Sequence, residues 1–164
     1  PDRVGVSGGS YGGFMSNWLT ATTDRFSASV TSRSITNWES WYGVSDAQGL
    51  TEREFYGTPW AERETYRLLS PISYVENVTA PTLIIHSEND YRTPIADGEQ
   101  WFIALMKRKI PVELVRYPRS SHGLSRNGEP WLLVDRLERL RTWFVHWLIE
   151  KQGPATQSDA LNRP

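Results

Sequence analysis

The sequence predicts an α/β fold, with about four parallel strands and helices on their flanks. Three observations predict it. Apolar runs of strand length alternate with helical stretches, which argues a parallel sheet with right-handed crossovers. Residues Pro81 to Ser87 form a continuous apolar run of the kind buried on both faces of such a sheet. Near the start, Gly8-Gly9-Ser10-Tyr11-Gly12 matches G-x-S-x-G between a strand and a helix, the pattern of the α/β-hydrolase nucleophile elbow. The reason is steric: a serine on so tight a turn is strained, and its neighbours two residues away must be small because strand and helix pass close there.

The elements follow in order. Arg3 to Val6 reads as the first strand and Phe14 to Thr22 as the first helix, with Met15, Trp18 and Leu19 on one face. Phe26 to Thr31 alternates large and small residues and reads as a central strand. Residues 33 to 60 have no regular period and are rich in aromatics, so short helices and loops are expected. Those aromatics either roof the core or line an apolar pocket beyond the carboxyl ends of the strands. Glu62 to Leu69 reads as a short helix ended by Ser70-Pro71.

After the strand at Pro81 to Ser87 comes a polar loop, Glu88 to Arg92. Thr93 is then expected to cap a helix with Pro94 at its first position, running to Lys109. Val112 to Tyr117 is the fourth strand, and Arg119 to Gly128 is a loop carrying His122. Pro130 to Glu150 reads as a long amphipathic helix with Trp131, Val134, Leu137, Leu140, Phe144 and Leu148 as its apolar stripe. Residues 1–150 are therefore expected to be one unit and 151–164 a flexible tail.

Composition narrows the function. The chain has 164 residues, enough for one domain with a substantial core. A net charge of −1 gives no case for nucleic acid or an anionic membrane. No apolar run is long enough to span a bilayer. The absence of cysteine excludes disulfides and thiolate metal sites and fits a reducing compartment, so a cytoplasmic location is expected. The Gly-rich turn lacks both the G-x-G-x-x-G spacing and the Gly-Lys-Ser/Thr ending that hold a phosphate. The chain begins at Pro1 with a strand, whereas an elbow normally follows several earlier strands. The expectation is the C-terminal part of a longer protein, with the first strand as an exposed sheet edge prone to self-association.

A serine hydroxyl needs a base to take its proton. Of the three histidines, His86 lies inside a strand, where a packed, hydrogen-bonded core group is expected, and His146 lies on the last helix. His122 sits on the loop after the fourth strand, where it can reach Ser10. The base in turn needs a carboxylate to fix its tautomer. Asp90, just past the third strand, is preferred over Glu88, nearer the strand, and Asp97, within a helix. The order Ser10, Asp90, His122 is that of α/β-hydrolases. The backbone N–H of Tyr11 is one expected oxyanion donor. A second is expected from a segment before the elbow, outside this chain.

Four stretches are similar to the prolyl oligopeptidase family, and most to its acylaminoacyl-peptidase branch. They are Gly8 to Met15, Arg33 to Trp38, His86 to Pro94 and Ser121 to Pro130, within a resemblance that spans nearly all of residues 1–150. The resemblance implies a serine peptidase with Ser10 as nucleophile, Asp90 as orienting acid and His122 as base, with no metal or cofactor. It implies that Arg33 helps hold a peptide substrate and that residues near Trp38, Trp41 and Tyr42 shape the pocket for the residue before the scissile bond. It also implies an N-terminal β-propeller in the parent chain, and a homo-oligomer is expected. Two other readings stay open: a carboxylesterase of the same fold, and a fragment that acts only as an assembly module.

Overall fold

The computed structural model describes residues 3–150. Four parallel strands stand in the order β1 (Gly5–Gly9), β2 (Ala28–Ser32), β3 (Thr82–Ser87) and β4 (Val112–Tyr117). Helix α1 (Tyr11–Thr22) joins β1 to β2. Three short helices, α2 (Trp38–Val44), α3 (Gly49–Glu54) and α4 (Arg63–Leu68), and a 3-10 segment (Pro71–Asn77) lie between β2 and β3. Helix α5 (Ile95–Lys107) joins β3 to β4, and α6 (Leu124–Asn127) and α7 (Pro130–Val145) follow β4. This is an α/β-hydrolase-like sheet with flanking helices. The tail expected at 151–164 lies outside the described residues.

The all-buried strand β3 divides the core by its two-residue alternation. Ile84 points to one face, where it meets Ala21, Val78, Trp101 and Leu105. Leu83 and Ile85 point to the other, with Val30, Tyr117 and Leu124, covered by Leu140, Trp143 and Phe144 of α7. A third cluster, of Phe14, Ile35, Trp38, Trp41, Phe55 and Tyr66, roofs the carboxyl end of the sheet.

Several elements differ from the sequence expectation. Strand β1 continues through Gly9 and α1 begins at Tyr11, so the elbow is one residue wide. The buried side of α1 is Gly13, Phe14, Ser16, Asn17, Thr20 and Ala21, whereas Met15, Trp18 and Leu19 are only partly covered. The reason is close helix-to-sheet contact: a Cβ on Gly13 would lie 2.6 Å from Ser32 O. Small and polar groups must face the sheet there, and Met15 and Trp18 pack sideways on the aromatic roof. The loop at 119–128 contains α6.

Helix α7 is rotated from its expected stripe. Leu132, Leu140, Trp143 and Phe144 face the core, while Trp131, Val134 and Leu137 are 62%, 55% and 55% exposed. Two contacts set the rotation: Tyr117 Oη donates to Asp135 at 2.6 Å, and Phe144 and Leu148 close over Gly5, which has no side chain to hold them off. The helix ends in a wider π-type turn, His146–Glu150.

Asp97 of α5 ties the start of α2 to the sheet. Its Oδ1 accepts from Thr36 N at 2.8 Å and Asn37 N at 3.0 Å, and Asn37 in turn caps α2 through Glu39 N and Ser40 N. Asp97 is fully buried, and burial outweighs these donors and pushes its pKa up from 3.8 to about 6. The folded chain therefore holds a proton that the unfolded chain releases. That contribution is fully present below about pH 4 and is lost as pH rises through about 6. Asp97→Asn keeps an acceptor but cannot titrate, so it should flatten the fall in stability across this window. Urea midpoints from pH 4 to 7 test this; an unchanged slope in the variant would contradict it.

Among the described residues β1 pairs only with β2. An open edge recruits other strands. The 164-residue chain expressed alone should therefore self-associate as concentration rises. A single monomeric species throughout a sedimentation series would contradict this.

Candidate active site

The site is built at the carboxyl ends of the strands. Ser10 occupies the one-residue corner between β1 and α1 with φ 62° and ψ −124°. A non-glycine residue there costs ~1–3 kcal/mol, and the surroundings hold it in place. Ser10 N donates to Ser32 O at 3.0 Å, and Ser10 O accepts from Phe14 N at 2.9 Å. Gly8 makes the corner feasible, because a Cβ on it would lie 2.1 Å from Gly12 O. The corner lifts the Ser10 hydroxyl clear of the sheet.

His122, on the loop after β4, reaches Ser10 with Nε2 at 2.9 Å from Oγ. Its Nδ1 lies 2.8 Å from Asp90 Oδ2. Asp90 is 2% exposed and accepts from Arg92 N and Thr93 N through Oδ1. Burial works against the Asp90 charge, but the hydrogen bonds from His122 and Thr93 outweigh it and hold the carboxyl below its usual pKa. An ionised Asp90 can only accept, so His122 carries its proton on Nδ1 and leaves Nε2 free to accept from the Ser10 hydroxyl. This arrangement can take a proton from Ser10 and shelter the resulting imidazolium.

The rival groups lie elsewhere. Glu88 meets Arg116 at 3.3 Å, and Asp97 is in the core beneath α2. His86 is fully buried, and burial lowers its pKa. It is therefore neutral, and its Nε2–H donates to Thr93 O at 2.7 Å.

Thr93 belongs to the site rather than to a helix cap. Pro94 takes the cap position of α5, and no side chain caps it. Thr93 Oγ1 lies 2.9 Å from Arg33 O, 3.0 Å from Asp90 Oδ2 and 3.2 Å from His122 Nδ1. One signal in the sequence points to it: an Asp side chain commonly bonds backbone N–H groups two and three residues on, which places Thr93 in the Asp90 turn.

The remaining predicted residues fall in three places. Tyr11 opens α1, so its N–H is among the first amides of a helix, which have no partner within it. Arg33 has φ 40°, and its Nη1 donates to Ser125 Oγ at 2.7 Å. Trp38 and Trp41 are 6% and 2% exposed in the roof, with indole N–H groups donating to Leu69 O and Arg92 O. Tyr42 lies at the rim of that cluster and donates to Glu52. Phe14 connects the roof to the exposed Tyr11 ring at a centroid distance of 5.3 Å.

A sequence profile of the prolyl oligopeptidase family matches residues 1–151. The chain is 47% identical over 145 residues to the peptidase YuxL of Bacillus subtilis, an alignment covering 88% of this chain and 22% of that protein. It is 31% identical over 153 residues to the acylamino-acid-releasing enzyme of Arabidopsis thaliana, covering 88% of this chain and 20% of that one. The acylaminoacyl peptidase of Pyrococcus horikoshii superposes with a TM-score of 0.86 at 31% identity, over 99% of this chain and 26% of its own. The chain thus spans about a fifth to a quarter of the length of these relatives. The likeness extends along the whole parallel sheet and the turns that end it. The chain belongs to the prolyl oligopeptidase family.

Proposed function

We infer that this chain carries the catalytic residues of a serine peptidase that acts by acyl transfer. The observation that carries the reading is the hydrogen-bonded series from Ser10 Oγ through His122 to Asp90, with distances of 2.9 and 2.8 Å. Ser10 attacks the substrate carbonyl as His122 Nε2 takes its proton, and Asp90 stabilises the imidazolium. The oxyanion is met by Tyr11 N–H and by a second donor on a segment outside this chain. His122 then gives the proton to the departing amine, leaving an acyl-enzyme on Ser10. Water, activated by the same histidine, releases the acyl group and restores the hydroxyl. The sequence of steps requires no metal or cofactor.

Family membership supports peptides as the substrate class, and the names of the relatives point to N-acylated ones. Tyr11 offers an exposed ring beside the serine, backed by Phe14 and by Trp38, Trp41 and Tyr42, which shape the acyl pocket from behind. In this reading residues 1–150 are the C-terminal part of a hydrolase domain. It works beside an N-terminal β-propeller in a larger, oligomeric protein of the cytoplasm.

In the full-length protein, Ser10→Ala should lower kcat on acyl-peptide substrates ~10⁶-fold. Asp90→Asn should lower it ~10⁴-fold by losing the tautomer that leaves Nε2 unprotonated. Retention of most peptidase activity by Ser10→Ala would overturn the assignment. Thr93→Val keeps the shape but removes the hydroxyl shared by Asp90, His122 and Arg33 O. It should lower kcat ~10-fold with little change in KM. A change confined to KM would show that Thr93 acts on substrate binding instead.

A further inference from the structure

Arg33 lies beside the serine, and the charges of Arg126 and Arg136 act on it with no carboxylate bridging the three. Arg33 follows β2, and its side chain lies over the end of β1: a Cβ added to Gly9, the residue before Ser10, would be 3.0 Å from Arg33 Nη2. Arg33 Nη1 is held by Ser125 of α6, while Nε is buried without a hydrogen-bond partner. Arg126 adjoins Ser125, and Arg136 lies on α7, where its Nε is also buried and unpartnered. Burial first, and then repulsion by Arg126 and Arg136, lower the Arg33 pKa; Asp90 acts in the opposite direction. Among the described residues none of the three arginines forms an ion pair within 4.0 Å.

Arg33 and Arg136 are partly buried while Arg126 is exposed, and like charges around a partly buried one are unfavourable unless something neutralises them. Asp90 cannot serve, because its two oxygens already accept from two backbone N–H groups, His122 and Thr93. An entering anion would relieve the repulsion, and the planar fork of a guanidinium matches a carboxylate.

The position indicates which part of a substrate would carry that anion. His122 delivers its proton to the departing amine, so its loop borders the leaving group. Ser125 and Arg126 are the third and fourth residues after His122, and Gly9 directly precedes the nucleophile. We propose that Arg33, Arg126 and Arg136 form a subsite for a carboxylate on the residue that departs with the amine. This rests on the serine peptidase reading and extends it to a substrate class. The preferred peptides end just after the scissile bond, with a free C-terminal carboxylate, or carry an acidic side chain at that position.

The test uses the full-length protein and three substrates: acetyl-Phe-Ala with a free carboxylate, acetyl-Phe-Ala amide and acetyl-Phe-Glu amide. At low salt, kcat/KM for the free acid or the glutamyl amide should exceed that for the neutral amide about tenfold, and the ratio should fall as salt is added. Whichever of the two is preferred identifies the source of the carboxylate. Arg126→Gln, a change at an exposed side chain, should bring the ratio close to one, mainly through KM, and Arg136→Gln should reduce it. Hydrolysis of p-nitrophenyl acetate, compared with Ser10→Ala, tests the machinery separately. Ser10-dependent ester turnover with equal rates on all three peptides would overturn the subsite and leave the peptidase reading standing. So would a preference for the carboxylate substrates that survives both substitutions. Ester turnover that does not depend on Ser10 would overturn both.

Discussion

The site depends on one backbone constraint, the left-handed conformation of Ser10 at the single-residue corner between β1 and α1. With φ at 62° the chain turns from strand to helix without a loop, and the hydroxyl stands above the end of the sheet. That corner is possible only because Gly8 and Gly12 pass too close for a Cβ on Gly8, and because Gly13 lets α1 lie against Ser32 and Ser34. The strain is held by the parallel pairing of β1 with β2, which brings Ser32 O to Ser10 N. The geometry of Ser10 and the integrity of the sheet are therefore one problem.

A second layer of buried polar contacts fixes the groups that face the serine. Neutral His86 holds the Thr93 carbonyl, and a Cβ on Gly98 would lie 2.7 Å from the His86 ring, so α5 and β3 meet tightly there. The Thr93 hydroxyl touches Asp90, His122 and the carbonyl of Arg33, which has a positive φ of its own. Asp97 anchors the turn from β2 into α2. Each connection ties the end of one strand to the next, so the loops after β2, β3 and β4 are positioned together. Buried networks of this kind specify geometry because leaving one member unpaired is costly.

Much of this was legible in the residues. The strand-to-helix serine, the loop after the third strand and the histidine after the fourth are each marked by residue type, and their order along the chain needs no structure to read. Less legible were facts that depend on which side of a helix meets the sheet. Helix α1 shows its larger residues to the aromatic roof because the sheet approaches too closely for them. Helix α7 has apolar residues on two stripes, and Tyr117 with Asp135, together with Gly5 under Phe144 and Leu148, decides which one is buried. Thr93 was masked by Pro94, since Thr-Pro before a helix reads as a cap. The grouping of Arg33 with Arg126 and Arg136 joins residues far apart in the chain, and no local pattern marks it.

The proposed function requires that the corner make Ser10 a nucleophile activated by His122 and Asp90. Covalent labelling tests it most directly. The full-length protein would be treated with a fluorophosphonate, and the modified residue located by peptide mass spectrometry. A single rapid phosphonylation at Ser10 is expected, nearly abolished in His122→Ala. Labelling at another residue, or equally fast labelling of Ser10 without His122, would contradict it.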